Sequence, residues 1–392
     1  MITSVTKRTG AQPDIYLDNA ATTRVCREVA QVVVDCMEVE YGNTASAHHL
    51  GISAERRVKQ ARSALLGAIG DPDGRLGDVL WTSGGTESDA IGVMGAARAR
   101  KARGRHILYS AIEHSAVRES IARLVRGGWE ASEVPVDERG VISVERLVSL
   151  LRPDTQVIAL MLVNNEIGTI QPVAAAAAAA REQLREVHVH CDAVQALGKV
   201  ALDVGALGAD SVALSAHKIH GPKGSGALWV RRGARIDAMW GGGGHQDGLR
   251  SGTLNVPGIA GMGEAVRLAE AARPEETARW AGFEGIFVGA ARAAGLDMRV
   301  NGEGAERAPH VLSLAFRGVP AEPLLHTLES RGVLVSAGSA CSERDRRPSP
   351  VLQAIKLPPD YGTVRLSFGR ETTQAQVEEA AQILVDAVKS LR

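Results

Sequence analysis

With 392 residues the chain is too long for one small core and long enough for two domains, and its 45 basic residues balance 45 acidic ones. That balance leaves no bulk field to attract nucleic acid or an anionic membrane, and an aromatic content of 3% argues against a stacking platform for single strands. Cys26, Cys36, Cys191 and Cys341 are widely spaced without a Cys-x-x-Cys pair, which fits a reducing, cytoplasmic setting better than a disulfide scaffold or a zinc site.

No early stretch has signal-peptide form, and none approaches the roughly 18 apolar residues of a membrane span. Residues 1–13 are polar and read as a loose start. The small-residue stretch YLDNAATT (16–23) follows. A helix is predicted over about 26–40, where Val29, Val32, Val33, Cys36 and Met37 recur at helical spacing, so Cys26 and Cys36 read as core filling. Residues 41–48 form a loop, and a long amphipathic helix covers about 52–69.

From residue 78 onward short apolar strands alternate with helices. Strand 78–82 leads through Ser83-Gly84-Gly85-Thr86-Glu87-Ser88 into a helix over 89–101, an order that gathers free backbone N–H groups and a positive dipole end into an anion cradle. Strand 106–110 precedes Glu113-His114-Ser115, where the next helix begins. Strand 157–163 ends in Asn164-Asn165-Glu166; the alanine run 174–180 is a good helix; strand 187–191 ends in Asp192-Ala193-Val194-Gln195. Strand 211–214 runs into Ser215-Ala216-His217-Lys218-Ile219-His220-Gly221-Pro222-Lys223-Gly224, and strand 226–230 follows.

This alternation predicts an α/β fold, a mainly parallel sheet covered on both faces, with ligands bound beyond the carboxyl ends of the strands. Gly85, Thr86, His114, Asn165, Asp192, Gln195, Ser215, His217 and Lys218 all fall at such ends, and their convergence outweighs reading each as an isolated loop residue. Residues 241–255 form a long glycine-rich loop carrying Arg250 and Thr253. A helix near 259–272 and an Arg273-Pro274 break mark a domain boundary: a large domain over 14–272 and a smaller α+β domain over 273–392. The latter has strands near 310–316, 333–336 and 363–367 and a last helix from about 374.

A lysine desolvated at a strand mouth loses its proton readily and becomes a nucleophilic amine suited to Schiff-base chemistry with a carbonyl cofactor. On its own stretch Lys223 would serve as well as Lys218. A pyridoxal cofactor also needs a carboxylate for its ring nitrogen (Asp192), a donor to its phenolic oxygen (Gln195), a stacking ring (His114) and phosphate donors (Gly85, Thr86, Ser215, His217). Far downstream, Cys341 sits in a small polar loop beside Arg344, Arg346 and Arg347, which favour its thiolate. Arg365 is a charge inside an apolar strand, where a fixed anionic partner is expected and a substrate α-carboxylate suits its fork.

YLDNAATT, TSGGTES, IEHSAV, NNEIGT, HCDAVQ, SAHKIHGPKG, GGGHQDGLRSGTLN, SAGSAC and VRLSFGR occur in an order and spacing that resembles the cysteine desulfurases, pyridoxal-phosphate enzymes of the class V aminotransferase group. The long stretch between Cys341 and Arg365 is similar to their iron–sulfur-cluster and nitrogen-fixation type. The resemblance implies a fold-type I architecture with a seven-stranded sheet, pyridoxal 5′-phosphate on Lys218, and L-cysteine bound by Arg365 with Asn165. It implies a persulfide on Cys341 bound for a sulfur-acceptor protein, a scaffold or a thiolation enzyme. It also implies a homodimer, because Thr253 would reach the phosphate of the partner subunit. Selenocysteine lyases share the scaffold, and a non-catalytic sulfur-carrier subunit would keep the fold without Lys218, Asp192 and Cys341. Two departures stand out: Thr44 replaces the usual proline, and SERDRRPSP (342–350) is unusually charged.

Overall fold

The structure, a computed structural model, describes residues 14–338 and 349–392. After a short first strand, β1 (Ile15–Tyr16), seven strands build one sheet: β2 (Gly77–Thr82), β3 (His106–Ser110), β4 (Glu130–Val134), β5 (Thr155–Met161), β6 (His188–Asp192), β7 (Ser211–Ser215) and β8 (Gly226–Arg231). Their order is β2-β8-β7-β6-β5-β3-β4. Pairing is parallel from β4 across to β7, while β8 is antiparallel to both β7 and β2. The exception has a simple cause: only residues 216–225 separate β7 from β8, enough for a return but too few for a helical crossover.

The strands β5, β6 and β7 are buried along their whole length, as a sheet covered on both faces requires. The alanine run forms the helix Val173–Gln183, which turns Val173, Ala176, Ala177 and Ala180 inward. β4 was not anticipated; Glu130-Ala131-Ser132-Glu133 carries no apolar periodicity and lies at the sheet's edge, largely exposed.

A 38-residue helix, Val256–Ala293, runs straight through the position where a break was expected. Pro274 lies inside it and cannot bond back to Glu270, yet the helix persists because each half is buried in a different core. Ile259, Met262 and Val266 join the core of the central sheet, whereas Trp280, Phe283 and Phe287 join a second core. That second core lies on an antiparallel sheet of β9 (Met298–Val300), β10 (Val311–Arg317) and β12 (Tyr361–Ser367), with β11 (Val333–Leu334) pairing in parallel with β1. Ile15 and Leu17 therefore pack into the second core, although they begin the chain. Phe368 lies buried within it, edge-on to Phe283 at 5.1 Å between centroids.

Candidate active site

β7 ends at Ser215 and a single 3-10 turn, Ala216–Lys218, follows, so Ser215, His217 and Lys218 leave one strand end together. The Lys218 ammonium donates to the carbonyls of Ala20 at 2.6 Å and Ala21 at 2.8 Å. The YLDNAATT stretch is thus folded over this turn, and Thr23 Oγ1 donates to the His217 carbonyl while Thr22 Oγ1 meets His217 Nδ1 at 3.1 Å. β8 begins hard against the strand–helix turn after β2: a Cβ on Gly226 would stand 2.6 Å from the Gly84 Cα, so only glycine permits the approach.

The next strand, β6, carries His188, His190 and Asp192 at alternate positions, hence on one face, and all three are buried. His190 Nε2 lies 3.2 Å from Asp89 Oδ1, His190 Nδ1 lies 2.9 Å from Ser211 Oγ, and Ser211 Oγ lies 2.8 Å from His188 Nε2. Asp192 accepts a hydrogen bond from the Val194 N–H, and one ligating atom each of Asp89, His114 and Asp192 lies within 4.8 Å of the others. Burial pushes the Asp192 carboxyl up, and His114 and Lys218 oppose that shift. Burial pushes the His114 imidazole down, with Asp192 pulling the other way. His114 also caps the helix Ser115–Arg126, its Nδ1 accepting from the Ala116 N–H, which fixes the ring at the sheet's carboxyl edge.

These residues fit a pyridoxal phosphate. The hydroxyl of Ser215 is buried and has no hydrogen-bond partner among the described residues, a group awaiting a ligand. Gly85 opens a helix with no side-chain cap; a Cβ there would crowd Val194 Cγ2 at 2.8 Å and lie in ordinary contact, 3.7 Å, with Ser215 Cβ, so the helix's first N–H groups stand near that hydroxyl. Gln195 is held as a donor toward the same region: its Oε1 accepts from His310 Nε2 at 3.2 Å and Lys199 Nζ at 3.4 Å, while its Nε2 donates to the Ala20 carbonyl.

The profile of the "Aminotransferase class-V" family matches residues 15–379. Cysteine desulfurase IscS of Azotobacter vinelandii is 40% identical over 385 residues, 96% of this chain and 93% of that one. The chain belongs to the class-V aminotransferases, among the cysteine desulfurases. A solved NifS-like protein superposes with a TM-score of 0.89 at 32% identity, covering 96% of this chain and all of that one. SspA, solved in complex with cysteine, does so with a TM-score of 0.79 at 30% identity, covering 91% and 99%.

Arg365 is 2% exposed and held at both terminal nitrogens: Nη2 with Asp18 Oδ1 at 2.7 Å, and Nη1 with the carbonyls of Gly338 at 2.6 Å and Asn165 at 3.0 Å. The anionic partner expected for this strand arginine is therefore Asp18, at the root of the YLDNAATT stretch. Cys341, Arg344, Arg346 and Arg347 lie outside the described residues. Both flanks of that stretch abut Glu166: Ser349 Oγ donates to Glu166 Oε2 at 2.6 Å, and a Cβ on Gly338 would stand 2.9 Å from the same oxygen. Thr86 is exposed on the cradle turn. Thr253 is exposed on its loop, with no hydrogen bond among the described residues joining it to the Lys218 cluster. That loop is tied down by Gln246, which bonds both backbone groups of Trp81, and by the Arg250–Glu87 ion pair at 2.9 Å.

Reading the sequence missed Asp89, Lys199, His310 and Asp18. Asp18 and Asp89 stand within the quoted YLDNAATT and just past TSGGTES, so proximity to a motif was a usable signal. The period-two polar row His188, His190, Asp192 inside an apolar strand was another. For Lys199 and His310, which come from separate cores, no local signal existed. Cys36 and Cys191 are buried with thiols pushed up by burial, as inert core cysteines should be. No helix among the described residues is long and apolar enough to cross a membrane.

Proposed function

We propose that this cysteine desulfurase moves the sulfur of L-cysteine onto Cys341. The carbon–sulfur bond of cysteine breaks, a sulfur–sulfur bond forms on the Cys341 thiolate, the carbon regains a proton, and L-alanine leaves behind a Cys341 persulfide. Bound pyridoxal 5′-phosphate, the cofactor of this family, supplies the electron sink for that cleavage. In this reading Lys218 holds the cofactor through its amine and moves a proton at the substrate carbon. Asp192, anionic, holds the proton on the ring nitrogen, Gln195 donates to the phenolic oxygen, and His114 covers the ring face. Gly85, Thr86, Ser215 and His217 bind the phosphate, joined by Thr253 of a second copy in a homodimer. Arg365 and Asn165 take the substrate α-carboxylate.

The observation that carries the reading is the Arg365–Gly338 bond. Cys341 is three residues beyond Gly338, so the covalent chain alone keeps it within roughly 11 Å of that residue. Arg365 in turn reaches Asp18, two residues before Ala20, whose carbonyl accepts from Lys218. Arg365 thus joins the chain segment that leads toward Cys341 to the stretch that meets Lys218, which supports the reading. The same reading assigns residues 14–272 to the cofactor-binding domain and 273–392 to the smaller domain, and gives the persulfide to the thiol of an acceptor protein of iron–sulfur assembly or thiolation.

The test is a single turnover with L-cysteine followed by mass spectrometry of the peptide containing Cys341. An added sulfur on that peptide with one equivalent of alanine is expected. Cys341→Ser should retain the cofactor's absorbance and release no alanine; alanine at the unmodified rate from that variant would remove Cys341 from the reaction.

A further inference from the structure

We propose that an arginine-lined cavity at the amino edge of the central sheet binds an anion carrying two or more linked phosphates. The cavity holds about 610 Å³, within the range of roughly 300–1,000 Å³ typical of small-ligand sites. It opens beside Val187 and Asp210, which immediately precede β6 and β7, and Arg231, which ends the antiparallel β8. Asp192 and Ser215 sit at the other ends of β6 and β7, so this site is separate from the desulfurase site and does not depend on its chemistry.

Seven arginines line the cavity against two carboxylates, Glu186 and Asp210. Three arginines form its floor. Arg181 pairs with Asp210 at 2.7 Å and Arg231 with the same carboxylate at 3.3 Å, which uses up that acid. Arg100, only 9% exposed, gives Nη1 to the carbonyls of Arg235 and Ala96 and has no ion pair among the described residues. Its pKa is lowered by burial; Asp210 opposes that, while Arg103 and Arg235 add to it. Four more arginines rise around the rim. Arg103 is paired with Glu186, and Arg232 caps the carbonyls of Gly74 and Arg75. Arg185 and Arg235 are exposed and make no ion pair among the described residues.

A concave excess of positive charge around a half-buried floor carries a self-repulsion that an anion relieves. Guanidinium forks match phosphate oxygens two at a time, and each arginine keeps donors beyond those its present contacts use. The charge excess is larger than one phosphate neutralises, which selects a linked pair or longer. The cavity's volume accommodates a phosphate chain laid along the guanidinium forks.

Isothermal titration of the cofactor-loaded enzyme, whose own phosphate site is then filled, tests the proposal at physiological salt. Inorganic tripolyphosphate is expected to bind in the micromolar range, and more tightly than orthophosphate. ATP binding equally tightly would show that the phosphate chain alone is recognised; ATP binding more tightly would add a nucleoside contact. The exposed variants Arg185→Gln and Arg235→Gln should each weaken tripolyphosphate by about tenfold, the size of one charge-assisted hydrogen bond, with unchanged desulfurase turnover. Tripolyphosphate affinity that neither variant alters, or no binding at all, overturns the proposal. So does tighter binding of duplex DNA or a polyglutamate peptide with the same dependence on Arg185 and Arg235, which would make this surface a docking face for a macromolecule.

Discussion

Asp89 and Asp192 face each other beneath the site, with carboxylate oxygens no more than 4.8 Å apart and both side chains out of water. Two carboxylates that close in a buried setting cannot both ionise at neutral pH. Burial, then Asp192 and Glu113, push the Asp89 carboxyl well up, and its hydrogen-bond partner His190 is held neutral. Asp192 instead has His114 and Lys218 drawing its carboxyl down. The charge therefore belongs on Asp192 and the proton on Asp89. Asp89→Asn, which keeps a neutral polar group of the same shape, should preserve the absorption spectrum of the bound cofactor and most of kcat. Asp192→Asn, the same change one position across, should alter the spectrum and lower kcat by about 100-fold or more. Equal losses from the two variants would show that the proton is not confined to Asp89.

Gln195 is clamped from two cores, by Lys199 from the central sheet side and His310 beside β10. Both groups donate to Oε1, which forces the amide nitrogen to face Ala20 and the site. Burial, aided by Lys218, brings the Lys199 ammonium down to about 7, and the amine donates in either form. Lys199→Met and His310→Phe should each let the amide turn, shifting the cofactor's absorption maximum and weakening its retention by about tenfold, the cost of one buried hydrogen bond. Unchanged spectra in both variants would assign these residues to packing alone.

The buried histidines set an acid limit on stability. His188, His190 and His310 are 0% exposed, and burial pushes all three imidazoles down, His190 to about 3. A base whose folded pKa lies below its unfolded value of about 6.5 contributes stability that is complete above that pH and is lost as pH falls. Each such histidine takes up a proton on unfolding and should cost about 1.4 kcal/mol of stability per pH unit below about 6.5, until its folded pKa is reached. Denaturant unfolding from neutral pH down to about 4.5 should show this slope, and His190→Gln should reduce it by one proton's worth. A slope unaltered in that variant would mean that His190 is already charged in the native state.

How much of this was legible beforehand divides along a physical line. The strand–turn–helix rhythm made the α/β sheet and its carboxyl edge readable, because hydrophobic periodicity is local. Lys218, Asp192, His114 and Ser215 could be placed at that edge for the same reason: each stands at or just past the carboxyl end of a strand. The helix through Pro274 and the partner of Arg365 were not legible. Pro274 signals a break locally, yet the helix Val256–Ala293 continues because two separate cores hold its halves. Arg365 announced an anionic partner, but its identity as Asp18, 347 residues earlier, depends on β1 pairing with β11 and folding back beside β12. Tertiary contacts of that separation leave no trace in a window of sequence.

The structural role of Arg365 and its proposed substrate role separate experimentally. As a structural cation it pairs with Asp18 and holds the carbonyls of Gly338 and Asn165, and its Nε is buried without a partner among the described residues. As the proposed carboxylate receptor it offers a planar fork that lysine lacks. Arg365→Lys should therefore keep a cation for Asp18 while losing the fork, raising KM for L-cysteine by about 100-fold with a smaller change in kcat. Arg365→Ala should also destabilise the fold by about 3–5 kcal/mol, because it strands the Asp18 charge. Replacing Asp18 with Asn releases the guanidinium from its resident anion, so KM in Asp18→Asn should fall or stay level. Steady-state kinetics and denaturant midpoints on the three variants decide the matter. Should Arg365→Lys lose stability with KM unmoved, the arginine serves only to bind Asp18 and the Gly338 end of the chain segment leading to Cys341, and the substrate carboxylate must find its cation elsewhere.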